Sequence, residues 1–249
     1  MSDTAFRPIE WVYASQTDVG TVRAANEDAL IALPESGLWA VADGMGGHEI
    51  GDIASTKIVE ALAAVPNLPK LSDYVDAVED ALLNVNQEIM EYAGIMLESG
   101  TMGSTLAALV IRGRVGVCLW VGDSRIYRYR NGWLQQLSRD HSQVEEMLRM
   151  GLITEAETHN HPQKNVITRA IGGESELYVD INVFSTQIGD TFLICSDGLY
   201  NSVKQDDIEF HLSTRSIEQS VSELMNKSLS NRAADNVSIV IVRGIPDKL

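Results

Sequence analysis

Short apolar runs bounded by turn residues recur along the chain and predict β-strands. The runs "DALIAL" at 28–33 and "GLWAVA" at 37–42 are separated by the short turn "PES". The pair Asn131-Gly132 lies between two further runs and is a strong signal for a β-hairpin. The predicted strands lie within 11–22, 28–33, 37–42, 100–111, 114–124, 125–138, 190–196 and 236–244.

Apolar residues at helical spacing predict three longer helices. The first covers about 51–65 and ends at the prolines of "PNLP". The second has Ser72 as its predicted N-cap and continues to about Met96. The third covers about 215–230.

The pattern changes between residues 140 and 170. A short predicted helix around 144–150 is followed by the polar stretch "TEAETHNHPQKN". This change predicts a flap inserted over one end of the sheet, and mobile loops beside a site often shape substrate choice.

Strands dominate, with two helices in the first half and one near the end. Antiparallel sheets need at least one covered face, and helices outside paired sheets provide it. The pattern therefore predicts a layered sandwich of helices and sheets. A chain of 249 residues with no evident linker or repeat favours one large domain.

Composition narrows the classes of function. The chain has 19 basic and 35 acidic residues, a formal net charge of −16, which disfavours nucleic acid as a partner because its phosphates would be repelled. Cys118 and Cys195 each lie in an apolar run, so we expect small buried hydrophobes rather than a disulfide or a zinc site. The N-terminal "MSDTAFRPIEW" lacks signal-peptide features and no apolar run approaches 18 residues, so we expect a cytoplasmic protein without a membrane partner.

Four aspartates adjoin the ends of apolar strands. Asp43, Asp123 and Asp197 follow predicted strands, and Asp235 precedes the last one. Exits and entrances of neighbouring antiparallel strands share an edge, so the four carboxylates can converge. Converging carboxylates raise one another's pKa unless cations neutralise them, and all-oxygen ligands suit Mg²⁺ or Mn²⁺. The alternative is that each Asp-Gly or Gly-Asp pair is simply a turn, which four occurrences at strand ends make less attractive.

The glycine-rich stretch "DGMGGHEIGD" at 43–52 does not match the common phosphate loops. It has no Lys-Ser/Thr after its last glycine, so it is not a P-loop, and it lacks the third glycine of the dinucleotide fingerprint. Its leading aspartate predicts instead that metal binds here and that the metal binds phosphate.

Eight blocks occur in one order: "VRAANEDAL", "VADGMGGHEIGDIAS", "GSTLAALVI", "WVGDSRIYRYR", "LSRDHS", "ITRAIGG", "LICSDGLY" and "DNVSIVIV". Together they resemble the metal-dependent serine/threonine phosphatases of the protein phosphatase type 2C (PPM) family, in its bacterial form. The resemblance runs from about 12 to 243, so 1–249 is expected to be a single catalytic domain with the flap at about 140–170. It implies an α+β fold, a four-layer α-β-β-α sandwich of two antiparallel sheets flanked by helices.

The resemblance also implies a centre with two Mn²⁺ or Mg²⁺ ions and a possible third, weaker ion. Asp43 would bridge the first two ions, and the carbonyl of Gly44 would bind the first. Asp197 and Asp235 would bind the second ion. Asp123 and Asp197 would bind the third.

Further residues take implied roles around these ions. Glu27 and Asp28 would hold waters of the first metal. Arg23 would grip the substrate phosphate through its planar fork. Eukaryotic relatives have a histidine as proposed general acid where this chain has Met45, so either His48 or a metal-bound water would protonate the leaving group.

The implied activity is hydrolysis of phosphoserine and phosphothreonine on proteins, by attack of a hydroxide that bridges the metals. It would reverse a bacterial Ser/Thr kinase, with secretion, cell-wall and stress signalling all open as pathways, and the protein is expected to be a monomer. The alternatives are a pseudophosphatase that only binds, which would lack metal ligands, and a two-metal phosphohydrolase of small phosphoesters. The run "HNH" at 159–161 does not support a nuclease, because those residues are not contiguous in HNH nucleases.

Overall fold

The computed structural model describes residues 7–46, 50–97, 101–158 and 161–247. Within these ranges the strands are β1 Ile9–Asp18, β2 Asp28–Leu33, β3 Leu38–Gly46, β4 Met102–Ser104, β5 Leu106–Arg112, β6 Val115–Val121, β7 Arg125–Arg130, β8 Trp133–Gln136, β9 Asp180–Ser185, β10 Thr191–Cys195 and β11 Val237–Pro246. The helices are α1 Gly51–Ala64, α2 Leu71–Met96, α3 Gln143–Arg149, α4 Glu155–Thr158, α5 Asp197–Ser202, α6 Gln205–Thr214 and α7 Ile217–Ser230.

The strands form two sheets in which every pair is antiparallel. The first sheet has the order β1-β11-β10-β7-β8. The second has the order β2-β3-β5-β6-β9, with β4 paired to β3. The Asn131-Gly132 hairpin joins β7 to β8, and both residues have the positive φ that such a turn needs (52° and 84°).

Alternation along the central strands separates three hydrophobic layers. In β3, Leu38 and Ala40 pack with α1 and α2, whereas Trp39 and Val41 face the other sheet. In β10, the odd residues face α7 in the same way and the even residues face the second sheet. Because side chains alternate across a strand, each sheet is covered on both faces, and the predicted four-layer α-β-β-α sandwich is confirmed.

Several helices and one strand differ from prediction. The second helix begins at Leu71 with Lys70 as its N-cap and no side-chain cap bond, so Ser72 is not the cap; its hydroxyl donates to Asp73 instead. Helices α5 and α6 were not predicted, because α5 has only six residues and α6 buries only Ile208 and Leu212. The edge strand β9 was also missed.

Residues 140–170, the predicted flap, lie between β8 and β9. Its two ends are paired to each other by a bridge between Ser142 and Ile167, and Thr168 N–H donates to the His141 carbonyl (2.8 Å). Ser142 caps α3 through Glu145 N–H. No helix in the described ranges combines the length and the apolar character needed to cross a membrane.

Candidate metal centre

Aspartates from both sheets lie at one edge of the sandwich. Asp28 begins β2 and is the cross-strand partner of Asp43 in β3, while Asp123, Asp197 and Asp235 lie at the ends of β6, β10 and β11. A cavity of about 250 Å³ opens at this edge. Its wall is formed by Arg23, Glu27, Asp43, Gly44, Met45, Gly46, Thr105, Asp123, Asn165, Ile167, Asp197 and Asp235. Every predicted site residue except Asp28 is therefore in the wall.

Asp43 is held by the backbone of the second sheet. Its carbonyl accepts from Thr105 N–H (2.9 Å) and from the Ser104 hydroxyl (2.9 Å), and its own N–H donates to Thr105 Oγ1 (3.3 Å). The backbone polar groups are thus satisfied within the sheet, which leaves the carboxylate at the cavity. The strand fixes where this charge lies.

Gly44 has no room for a side chain. A Cβ there would collide with the carbonyl oxygens of Gly51 and Glu27, so α1 begins directly against the end of β3. Gly44 N–H donates to the Glu27 carbonyl (3.1 Å). This close approach holds the carboxylate of Glu27 beside the first residue of α1.

Asp28 and Asp197 each carry a buried carboxylate oxygen, Oδ1, that has no hydrogen-bond partner. The second oxygen of Asp28 accepts from the Ser196 hydroxyl (2.7 Å), and that of Asp197 accepts from Asn201 Nδ2 (3.1 Å). A buried acceptor without a donor costs folding free energy. A bound proton, water or cation at each of these two oxygens would remove that cost.

Asp235 pairs with Arg23, the one cationic side chain among the described residues of the cavity wall. Arg23 Nη2 donates to its Oδ2 at 2.7 Å, with the arginine side chain 50% exposed at the cavity mouth. The neighbouring Asn236 is buried and fixes this loop: its Nδ2 donates to the carbonyls of Val19 and Ala25, and its Oδ1 accepts from Glu27 N–H (2.8 Å). The sequence pattern assigned no role to Asn236.

Asp123 follows Gly122, which has a positive φ of 95°. A Cβ at Gly122 would collide with Thr105, so the turn requires glycine. The Asp123 carbonyl accepts from the Tyr200 hydroxyl (3.0 Å), and Gly122 N–H donates to Nδ1 of His141 (3.0 Å). These bonds place Asp123 at the junction of β6, α5 and the flap.

Burial and mutual repulsion disfavour the charged forms of these carboxylates. Burial, then the charge of Asp28 and the other aspartates, raises the pKa of Asp43 well above its usual range. Burial, followed by the charge of Asp123, raises the pKa of Asp197 to about 8. Burial also raises the pKa of Asp123 to about 6. Arg23 has its pKa raised by its bond to Asp235.

These features fit divalent cations. Carboxylates and a backbone carbonyl are the hard oxygen donors that Mg²⁺ and Mn²⁺ take, and positive charge would relieve the repulsion. In the part of the chain described, no three ligand side chains already converge on one point. The Asp235 carboxylate is paired with Arg23.

The flap contributes Asn165 and Ile167 to the cavity wall. Neither residue carried a sequence signal for metal or phosphate chemistry. His48, one of the two candidates for the general acid, lies outside the described residues, as do the first two residues of "HNH". The described His161 bonds within the flap, where its Nδ1 accepts from Gln163 N–H.

Asp180 at the start of β9 joins the two ends of the flap. Its Oδ2 accepts from Nε2 of His141 (3.2 Å), and its Oδ1 accepts from Arg169 (2.9 Å). Since Nδ1 of His141 accepts from Gly122, the ring carries its proton on Nε2. Burial lowers the pKa of His141, which favours this neutral form.

The cysteines take no part in the site. Both are fully buried and unpaired. Burial raises the pKa of Cys195 to about 12, so it is not a thiolate at neutral pH.

Comparison with known proteins gives concordant matches. A family model described as protein phosphatase 2C matches residues 21–236. The serine/threonine phosphatase stp of Listeria innocua is 36% identical over 235 residues, which cover 91% of this chain and 93% of that protein.

Two solved structures are similar over nearly the whole chain. PppA, described as a key regulatory component of T6SS in Pseudomonas aeruginosa, is 41% identical with a TM-score of 0.88, over 94% of this chain and 98% of that one. The catalytic domain of the serine threonine protein phosphatase PstP, solved with 2 manganese ions, is 32% identical with a TM-score of 0.86, over 96% and 99%.

Proposed function

The chain belongs to the protein phosphatase 2C family and is a metal-dependent serine/threonine protein phosphatase, and we propose that the carboxylates at the shared sheet edge form its metal centre. The observation that carries this assignment is the cavity that gathers carboxylates from both sheets, with an unpartnered buried oxygen on Asp197.

The two Mn²⁺ or Mg²⁺ ions of the family would be held by this chain's own oxygens. Asp43 would contact both ions, and the carbonyl of Gly44 would contact the first. Asp197 and Asp235 would hold the second, while Asp123 with Asp197 would hold a third, weaker ion. When bound, such ions lower the pKa of a water to make a nucleophile and offset charge on the phosphoryl group.

Glu27 and Asp28 would orient waters of the first metal rather than bind the metal directly. Glu27 lines the cavity, and Asp28 is paired to Asp43 with one oxygen fixed by Ser196. These positions support the proposal that both residues would act through waters, one contact away from the ions.

Arg23 would bind the substrate phosphate. Its guanidinium lies at the cavity mouth and bonds Asp235 through Nη2 alone among the described contacts. The remaining N–H groups of the fork can donate to two phosphate oxygens. Positioning of the phosphoryl group is what phosphoryl transfer asks of the protein.

A water would protonate the leaving oxygen. Among the described residues of the cavity wall there is no histidine, lysine or tyrosine to act as general acid. His48 is the alternative, and kinetics of His48→Ala decide between them: a defect confined to phosphothreonine, with an aryl phosphate unaffected, would assign the acid to His48.

We infer one catalytic domain with a core of about 12–243 and the flap at about 140–170, acting as a monomer in the cytoplasm against a cognate Ser/Thr kinase. Incubation of the kinase with this protein should remove its phosphothreonine, whereas Asp197→Asn should not.

The decisive experiment is hydrolysis of a phosphothreonine peptide with Mn²⁺, with Mg²⁺ and with EDTA, by the wild type and by Asp197→Asn. Metal-dependent turnover that the substitution abolishes supports the assignment. A folded, metal-loaded wild type without turnover favours a binding module, and turnover of nucleotides rather than the peptide favours a small-molecule phosphohydrolase.

A further inference from the structure

A second cavity of about 390 Å³ adjoins the metal centre. Met45 and Ile167 line both cavities, so the two cavities are direct neighbours. The half-buried Leu177 adds apolar surface to the second one. We call this cavity the flanking groove.

One wall of the flanking groove is the segment 172–178, which the buried Asn86 holds in place. Asn86 Oδ1 accepts from Gly172 N–H (2.6 Å), and its Nδ2 donates to the Glu174 carbonyl (2.9 Å). Gln87 Nε2 donates to the Ser175 carbonyl (2.8 Å). A buried amide that bonds the first part of the wall through two hydrogen bonds gives the groove a defined shape before any ligand binds.

The same segment gives the flanking groove negative charge. Glu174 and Glu176 are exposed and line the cavity, and Tyr178, whose side chain is also exposed, donates its hydroxyl to Glu176 (3.1 Å). Arg169 lines the cavity too, but its guanidinium is bonded to Asp180 and to the Tyr178 carbonyl. Its charge is therefore balanced, and the two glutamates remain.

We propose that the flanking groove binds substrate residues next to the phosphorylated Ser or Thr and selects a basic side chain, arginine above lysine. The proposal rests on the function proposed above and names the substrate class. A peptide whose phosphate lies at the metal centre continues directly into the groove. The glutamates then attract a cation, and the exposed ring of Tyr178 offers a face on which a guanidinium stacks.

A set of phosphothreonine peptides tests this selection. The set places one arginine in an otherwise neutral sequence, at each position through roughly four residues on either side, since an extended chain advances about 3.4 Å per residue. We expect arginine at one or two positions to raise kcat/KM about fivefold over glutamine, mainly through KM, the upper range for a partly exposed ion pair. The gain should shrink at high salt.

Variants of the wall assign the effect. Glu174→Gln with Glu176→Gln should remove the arginine preference and leave hydrolysis of the neutral peptide and of an aryl phosphate unchanged. Glu174→Lys with Glu176→Lys should transfer the preference to a peptide with glutamate at the same position. Glu209→Lys with Glu218→Lys makes the same charge change on α6 and α7, over the other sheet, and should keep the arginine preference.

The outcomes separate the groove from the activity. Neutral-peptide hydrolysis with no arginine effect, or an arginine effect that survives the glutamate substitutions, overturns the groove and leaves the phosphatase standing. No metal-dependent hydrolysis of the neutral peptide overturns the phosphatase assignment. Fluorescence anisotropy with phosphonate analogues of the peptides needs no turnover, and equal affinity for the arginine and glutamine analogues would count against the groove in either case.

Discussion

Two parts of the cavity wall are built differently. One is the sandwich edge that carries Asp43, Asp123, Asp197 and Asp235, which we call the metal edge, and the other is the flap. At the metal edge, Asp43 lies within a paired strand and its backbone bonds are all internal to the sheet. In the flap, helices α3 and α4 bury none of their described residues, and the contribution to the cavity is limited to Asn165 and Ile167. The difference teaches that rigid strands fix the positions of the carboxylates. The flap residues that face a substrate belong instead to a segment with few packing constraints.

Asp43→Asn should have the largest effect because it removes the carboxylate that we propose contacts both metal ions. We expect kcat to fall on the order of a thousandfold, since metal ions supply several kcal/mol of transition-state stabilisation. The metal-free variant should melt higher than metal-free wild type, because one repelling carboxylate is gone. Asp52→Asn, at the exposed start of α1, is the matched control and should keep full activity. Unchanged Mn²⁺-dependent turnover in Asp43→Asn would refute the assigned centre.

Without metal, the protein should become less stable as pH rises, because the pKa values of Asp123 and Asp197 are raised in the folded state. The pKa of Asp123 is about 6 in the folded state against an ordinary value near 4, so the folded state binds more protons between these pH values. Stability of the metal-free protein therefore falls as pH rises from about 4 through 6, by on the order of 2–3 kcal/mol for this buried group. Asp197, with a pKa of about 8, extends the loss to higher pH.

Urea unfolding at several pH values, with EDTA and with Mn²⁺, measures this. Mn²⁺ should restore most of the stability at pH 8 and little at pH 5, where protons compete for the carboxylates. A metal-free protein equally stable at pH 5 and pH 8 would show that the carboxylates do not repel one another as described.

Arg23→Lys tests whether Arg23 at the cavity mouth binds the substrate phosphate. Lysine keeps the charge but loses the fork, so we expect KM for a phosphothreonine peptide to rise about tenfold with the metal affinity unchanged. Arg7→Lys, outside the cavity wall, should behave as wild type. Unchanged kinetics in Arg23→Lys would remove the residue from phosphate binding.

Asp180→Asn should have the smallest effect, and it should be confined to the flap. The substitution weakens charge-assisted bonds to His141 and Arg169, which costs about 1–2 kcal/mol of local stability. We expect faster hydrogen exchange in the flap and a change of a few-fold in kcat/KM for a phosphoprotein, with hydrolysis of an aryl phosphate preserved. An equal loss on both substrates would instead place Asp180 in support of the metal edge, through His141 and Gly122.

Chimeras in which the flap is exchanged test whether the flap sets the preference among protein substrates. Exchange of 140–170 for the flap of a relative should alter preference among protein substrates while aryl phosphate turnover is kept. Unchanged preference would mean that selection lies elsewhere, with the flanking groove as the first alternative.

Local pattern determined much of the fold. The run 28–33 is strand β2 as predicted, and the first helix differs from prediction by one residue at its end. The second helix, α2, ends at Met96 as predicted, but its N-cap is Lys70 and not Ser72. The two helices were predictable because each buries a stripe of apolar residues at helical spacing. The short α5 and the mostly polar α6 bury few residues and left no comparable signal.

By itself, the sequence determined that apolar strands end in aspartates, and the motif order indicated the family. Those features are local or consecutive, so they can be read without knowing which strands are neighbours. Only the tertiary structure decided that β2, β3, β6, β10 and β11 bring their ends to one cavity, that Asn236 fixes the loop of Arg23, and that Asp180 joins both ends of the flap. Such contacts link residues far apart in the chain, and their partners are chosen by how the two sheets pack, which no local pattern records.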